Sequence, residues 1–250
     1  MRPNAGAAAL ARLAASLIIV LLSLAPALAG DRALFNALGY SEDHRYFAFE
    51  EFGIHDGSGG TYASIQVIDL SNDKWMYGSP FTVDTNSELE DVPPLATVRA
   101  QALAKAKPKL DELKIDEPAD ALYLLGDGMG NDRGGIATFS TPSCCGPGAT
   151  QSDAFTLVLS TQVAKVEGDA CTDVDVMGYT LTYIDESGTQ VLHKDGGTVP
   201  KSRNCPTDYR LYAVLAPFES LGPRVAILSV YPRGFEGPDR RFLLVPIDAP

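Results

Sequence analysis

The sequence predicts a mainly β protein of antiparallel sheets with one inserted amphipathic helix. Most of the chain consists of short runs in which apolar and polar residues alternate, the pattern of half-buried strands. Groups of Gly, Asp, Asn and Ser separate these runs and indicate turns. Only one segment, near residues 95–113, has the 3.6-residue period of a helix. Both a sandwich and a propeller-like arrangement of the sheets are compatible with this pattern.

The first 29 residues predict a secretory signal peptide. Arg2 and Arg12 give a basic start, a short apolar run follows, and residues 27–29 form an A-x-A cleavage motif before Gly30. The alternative is a retained N-terminal anchor, but the apolar run is short for a membrane span. We therefore expect a periplasmic or secreted protein with one mature β-rich domain, residues 30–250.

The acidic composition limits the classes of partner that the mature chain is expected to bind. The full sequence has a formal net charge of −12, and the signal peptide removes only positive charge. Such a chain repels the phosphates of nucleic acids and of anionic membrane surfaces. No later segment is apolar over enough residues to span a bilayer. We expect a soluble mature protein that binds no nucleic acid.

Two strands joined by a glycine-rich acidic loop open the mature chain. Residues 45–52 carry apolar side chains on both faces, which indicates a strand covered on both sides, and residues 62–70 alternate. The loop at residues 53–60 contains Asp56, and its glycines give the backbone unusual freedom. A third, short strand is predicted at residues 75–83, at a sheet edge because Pro80 has no N–H to donate.

Residues 95–113 predict the helix, because they are rich in Ala, Lys and Leu. Pro108 is expected to kink the helix or to end its first part. The apolar positions near one face of this helix are Val98, Ala102, Leu103, Ala106 and Leu110.

From residue 155 onward the chain predicts strands throughout. A turn at residues 185–188 indicates a hairpin. The last hairpin has the plan of the first: a strand, a loop with glycine and acids, and a strand that ends in Ile-Asp. The strands are predicted at residues 155–160, 179–183, 191–193, 209–215, 224–230 and 241–247.

All four cysteines follow the signal peptide, so export places them in an oxidising compartment where disulfides form. Cys144, Cys145, Cys171 and Cys205 allow three full pairings. A Cys171–Cys205 bond would close a loop around the hairpin near residue 185 and contribute about 3–4 kcal/mol in the loop-entropy model. We predict this bond, with Cys145–Cys171 as the alternative.

Two families resemble this sequence. Residues 41–49 together with residues 65–70 resemble one blade of the TolB-like periplasmic propeller proteins, in which a Ser-x-Asp turn precedes a strand and a later strand ends in Asp-Leu. Nearly the whole mature chain is similar to a family of bacterial predicted secreted proteins of unassigned function. The matching pieces are the opening hairpin with its Asp-Gly-Ser-Gly loop, residues 200–206 with Tyr209, and residues 234–242. This resemblance implies export and a shared fold, and it implies no catalytic residues.

The acidic loops carry the candidate functional residues. Asp56 lies in the first loop, and Glu236 and Asp239 lie in the last, while a third such loop spans residues 126–135. Calcium binds oxygen ligands of this kind, although the ligand order of an EF-hand is absent. If the two hairpins share a sheet in the same sense, these three acids gather on a shared rim, where calcium or Arg240 would neutralise them.

These features favour a periplasmic binding or scaffolding module, whose partner is another envelope protein or a small ligand. The alternative is a cell-envelope hydrolase that uses the loop carboxylates as its acid/base pair, and His55 next to Asp56 is a further pair of this type. Convergence of Asp56, Glu236 and Asp239 on one cleft would favour the hydrolase.

Overall fold

The computed structural model describes residues 30–248, apart from 86–90, 127–134, 141–153, 168–170, 172–173, 219 and 221. The predicted signal peptide, most of the third acidic loop, and Cys144 and Cys145 lie outside the described residues. Within them the fold class is confirmed: the chain forms several antiparallel sheets and the helix α1 (Leu95–Glu112). In chain order the strands are β1 (Leu34–Ser41), β2 (Tyr46–Ile54), β3 (Thr61–Asp69), β4 (Lys74–Trp75), β5 (Phe81–Asp84), β6 (Ile115–Glu117), β7 (Ala119–Leu124), β8 (Ile136–Ser140), β9 (Ala154–Val163), β10 (Lys165–Val166), β11 (Met177–Asp185), β12 (Gly188–Lys194), β13 (Thr198–Val199), β14 (Pro206–Pro217), β15 (Val225–Pro232) and β16 (Arg241–Pro246).

The larger sheets follow the order of the chain closely. Sheet I has the order β4-β3-β2-β1-β6, with β5 also paired to β3. Sheet II has the order β16-β15-β14-β7, and sheet III has the order β12-β11-β9-β8. The pairs within these sheets are antiparallel, while β10 and β13 form a small parallel pair. The opening and last hairpins, β2–β3 and β15–β16, thus belong to different sheets, so they do not share the sheet on which the predicted rim depends.

The helix and the three sheets stack as four layers. One core cluster lies between α1 and the outer face of sheet I, a second between sheets I and II, and a third between sheets II and III. Sheet II is therefore covered on both faces. In β15, Ile227 packs toward sheet I and the next residue, Leu228, packs toward sheet III, and both are fully buried. Each such side chain contributes about 1.5–3 kcal/mol by leaving water.

The helix packs through residues spaced four apart, which lie on one face. Val98, Ala102, Ala106 and Leu110 are buried against β3, as the sequence predicts, but Leu103 is 44% exposed. The prediction that Pro108 ends a first part of the helix is wrong, because α1 continues to Glu112. The carbonyl that Pro108 leaves without an N–H partner belongs to Ala104, an exposed residue that water can reach.

The edge of sheet I differs from the predicted third strand. Two short strands, β4 and β5, replace one strand over residues 75–83, and both pair with β3. Pro80 lies between them, so neither strand requires an N–H from it. In the part of the chain that the structure describes, no helix is long and apolar enough to cross a membrane.

Candidate functional site

Residues 30–33 meet the loop that precedes the last strand, and we call this part of the molecule the rim. The rim comprises residues 30–33, which we call the strap, the loop at residues 53–60 and the loop at residues 233–240. The strap runs parallel to the start of the last strand at an isolated bridge between Arg32 and Arg240. Arg240 N–H donates to the Asp31 carbonyl at 2.7 Å, and Ala33 N–H donates to the Arg240 carbonyl at 3.2 Å. The strap therefore joins the first residues that the structure describes to the last strand.

Asp31 connects all three segments of the rim. Its Oδ1 accepts the backbone N–H of Asp56 at 2.8 Å, which fixes the first loop. Its own N–H donates to Asp239 Oδ1 at 2.9 Å, which fixes the last loop. Its Oδ2 accepts from Arg241 at 3.3 Å. Burial opposes ionisation, but these donors and His55 hold the pKa of Asp31 below its usual value.

His55 lies between two carboxylates. Its Nδ1 is 2.5 Å from Asp31 Oδ2, and its Nε2 is 2.9 Å from Asp84 Oδ1. A carboxylate at each nitrogen requires a proton on each, so this geometry selects the imidazolium ion. Partial burial lowers the pKa of His55, but the hydrogen bonds and charges of Asp31 and Asp84 outweigh it and raise the pKa.

Arg241 anchors the buried side of the rim. Its guanidinium lies 4.8 Å from the Tyr62 ring centroid and donates to the Tyr62 hydroxyl at 2.5 Å. The His55 ring stacks on the same tyrosine at 4.7 Å. Behind them Glu51 accepts the Phe242 N–H at 2.8 Å and lies 3.7 Å from Arg241. Burial raises the pKa of Glu51 to about 7, and the charge of Arg241 opposes this shift.

The structure connects the loops of the candidate acids through Asp31. Asp239 belongs to the cluster, and burial, followed by the charge of Asp31, raises its pKa. Asp56 contributes its backbone N–H, while its side chain is exposed, and Glu236 is exposed on the last loop. Arg240, the predicted counter-ion, donates to the Ala33 carbonyl at 2.8 and 2.5 Å.

A metal site is absent from the described residues: no group of three or more His, Cys, Asp and Glu side chains there is arranged to hold an ion. The cations that face Asp31 are the protein's own. His55 and Arg241 both contact its carboxylate.

Sequence reasoning missed Asp31, Glu51, Tyr62 and Asp84 as members of this site. One local signal was present, since Glu51 is an acid in a strand predicted to be covered on both faces. A buried carboxylate requires a partner, so this position already indicated a buried cation or donor. The partners of Glu51 are the Phe242 N–H and Arg241, and no local pattern connects these positions with residue 51.

A second cluster repeats the arrangement of the rim between β11 and the loop before β14. Asp195 accepts from Arg203 at 2.6 Å and from the Tyr179 N–H at 2.9 Å, and it lies 2.9 Å from His193 Nε2. His193 stacks on the Tyr179 ring at 4.5 Å, and Arg203 lies 4.9 Å from its centroid. In each site one aspartate contacts a histidine and an arginine, and both of these side chains lie against the ring of one tyrosine. Burial opposes ionisation of Asp195, but its hydrogen bonds to His193, Tyr179 and Arg203 keep its pKa lowered.

The predicted disulfide closes beside this second cluster. Cys171 and Cys205 are bonded, with 5.7 Å between their Cα atoms and a sequence separation of 34. The pairing that we predicted is therefore confirmed, and Cys205 lies within the segment of residues 200–206 that carried the family resemblance.

The last loop presents one aromatic side chain to solvent. Phe235 is 99% exposed. The loop is tight, because Gly234 N–H donates to the Gly237 carbonyl at 3.0 Å and a bridge pairs Arg233 with Pro238. A Cβ at Gly234 would overlap both the Gly237 carbonyl and the Asp239 carboxylate. Phe235 therefore projects from a constrained loop.

Comparison with known proteins gives one family. A family model described as "Predicted secreted protein (DUF2259)" matches residues 48–248. No curated protein and no solved structure matches the chain. The matched region contains the disulfide and both hairpin loops, whereas the strap precedes it.

Proposed function

Since the chain belongs to the DUF2259 family of predicted secreted proteins, we propose that it acts in the periplasm as a binding or scaffolding module, with residues 30–250 as one mature domain. The proposal rests on one observation. The rim carries the exposed side chain of Phe235 on a loop whose backbone is constrained by a hydrogen bond and a bridge between the residues on either side of it. We propose that Phe235 is the anchor by which the protein binds another envelope protein.

The contacts of the polar groups in the rim favour a structural role for these groups over a catalytic one. Asp31 accepts the Asp56 N–H and donates its own N–H to Asp239, and both nitrogens of His55 contact carboxylates. A general acid or base must instead exchange its proton with a substrate within hydrogen-bond reach. Of the loop acids of the hydrolase alternative, Asp239 is engaged by the strap, while Asp56 and Glu236 are exposed. No contact among the described residues of the rim favours the hydrolase.

The chemistry of the anchor identifies the kind of partner. Aromatic side chains at the centre of protein interfaces contribute much of the binding energy when they fill a pocket. A constrained loop loses little conformational freedom on binding, which leaves more of that energy for affinity. The partner is therefore a protein with an apolar pocket that accommodates one benzyl side chain.

A photo-crosslinking amino acid at position 235, in cells that export the protein, tests this proposal. Position 77 is the matched control, because Tyr77 is also an exposed aromatic residue, at 94%, but lies between β4 and β5. We expect a discrete protein adduct from position 235 and none from position 77. Purified wild-type chain should compete for that adduct, and Phe235→Ala should compete about tenfold less well or worse. Equal adducts at both positions, or equal competition by folded Phe235→Ala, would contradict the proposal.

A further inference from the structure

The first residues after the predicted cleavage motif belong to the strap, where hydrogen bonds and burial fix their position. Asp31 and Ala33 are hydrogen-bonded to the last loop and strand, and Ala33 is fully buried. Secretory proteins commonly have loosely ordered first residues, unless those residues are tied down. In this protein the contacts that hold the strap begin at residue 30, directly after the predicted cleavage site.

Gly30 itself contacts the last loop too closely for a side chain. A Cβ at this position would overlap the Pro238 carbonyl oxygen. The overlap is with backbone, which cannot move aside as a flexible side chain can. The backbone of residue 30 is thus held against the loop that contains Asp239, whose carboxylate accepts the N–H of the next residue, Asp31.

We propose that hydrolysis between Ala29 and Gly30 creates a ligand for the rim, and that the new α-ammonium of Gly30 binds the carboxylate of Asp239. In this step water adds across the peptide bond. Ala29 leaves with a carboxylate, and the nitrogen of Gly30 becomes an amine that takes up a proton. The mature amino terminus is then part of the fold rather than a free end.

The charges around the strap favour this contact. Asp239 is partly buried beside Asp31, and these two effects raise its pKa, so an added cation would lower the cost of its charge. An amide at residue 30 brings no such charge, whereas an α-amine has an ordinary pKa of about 7.7–8.0 and is protonated at neutral pH. The charged groups that surround the site are Asp31, Arg32, His55, Asp239, Arg240 and Arg241.

A thermodynamic cycle tests the contact. The exported chain, with Gly30 confirmed as its first residue by mass spectrometry, is compared with the same chain after selective acetylation of the α-amine, each with Asp239 and with Asp239→Asn. We expect acetylation to lower the Tm by about 3 °C at pH 6 in the wild-type background and to have no effect in the Asp239→Asn background. The carboxylate raises the folded pKa of the amine, so the difference is full below pH ~7.7 while Asp239 is ionised, and it is lost as the pH rises through the raised pKa of the amine.

Two further measurements keep the test decisive. Gly30→Ala should lower the Tm, whereas Gly57→Ala, in the neighbouring loop where a Cβ meets nothing within 4 Å, should not. If Asp239→Asn does not fold, the pKa of the Gly30 amine in the wild-type chain decides, and we expect it above its ordinary range. A first residue other than Gly30, an equal effect of acetylation in the Asp239→Asn variant, or an amine pKa at or below its ordinary range would overturn the proposal.

Discussion

His55 gives the rim a dependence on pH. Its raised folded pKa means that its contribution to stability is complete below about pH 6.5, its unfolded pKa, and is lost as the pH rises through the folded value. The lowered pKa of Asp31 acts in the opposite sense: its contribution is present above about pH 3.9 and is lost as the pH falls through the folded pKa. We expect His55→Gln to lower the Tm most between about pH 4 and 6.5 and least at alkaline pH. Parallel curves of Tm against pH for wild type and His55→Gln would contradict this.

Arg241 supports the charges of Glu51 and Asp31. Without it, buried Glu51 keeps a donor from the Phe242 N–H but loses its cation. Arg241→Met should therefore cost about 3–5 kcal/mol in the free energy of unfolding, whereas the double variant with Glu51→Gln should cost less than the sum of the single variants. Urea denaturation of the four proteins measures this, and additive losses would show that the two groups do not interact.

For single residues, the sequence is informative where a residue conflicts with its local pattern. It does not indicate contacts between residues that are far apart in the chain. The sequence points to His55 because Asp56 follows it, but the carboxylate partners of His55 are Asp31 and Asp84, which lie on other segments. The sequence points to the side chain of Asp56, yet its backbone N–H makes the contact with Asp31.

The helix α1 is an element whose packing the sequence predicts well, because its buried residues repeat every fourth position. Ala102 is fully buried against sheet I, and Ala104 is exposed. We expect Ala102→Leu to destabilise the protein by about 1–3 kcal/mol through overpacking, and Ala104→Leu to change stability by less than about 0.5 kcal/mol. Chemical denaturation measures both, and equal effects would place the helix in a different orientation.

The strand β1 shows why other elements escaped prediction. It carries a bulge between Ala37 and Gly39, and Gly39 has a φ of 126°, which other residues rarely adopt. A Cβ there would overlap the Glu117 carbonyl of the neighbouring strand. The bulge interrupts the alternation that marks a strand, so the segment does not have the pattern of the strand that it forms.

The disulfide is the covalent link of the second cluster. Replacement of Cys171 and Cys205 by serine should cost about 2–4 kcal/mol, because the bond restricts the unfolded chain. Urea denaturation of the oxidised protein and of the double serine variant measures the loss. The same stability in both would show that the bond contributes nothing to folding.

The whole molecule should unfold as one unit, because sheet II supplies residues to two of the cores. Trp75 is the single tryptophan and lies in sheet I, while Leu228 packs toward sheet III. We expect Leu228→Ala to cost about 2–5 kcal/mol and to shift the unfolding curve of Trp75 fluorescence by the same amount as that of circular dichroism. A shift seen by circular dichroism alone would divide the chain into two domains.

At this largest scale the sequence predicts the types of element but not their stacking. The hairpins at the two ends of the chain are alike in plan, and their loops do meet at the rim. They meet because their sheets pack face to face, with Phe47 and Phe49 of one sheet against Phe242 of the other. Side-chain contact across layers has no period along the chain, so no repeat in the sequence indicates it.

The contacts between the strap and the last strand also mean that the rim forms only in a complete chain. Synthesis runs from the amino end of a chain to its carboxyl end, so residues 30–33 are made before residues 238–242. A chain that stalls or is truncated a dozen residues short has no Arg241 for Asp31 and no Phe242 N–H for Glu51. Such a chain lacks the contacts that hold the strap against the last strand, so the rim is complete only when the last strand is complete.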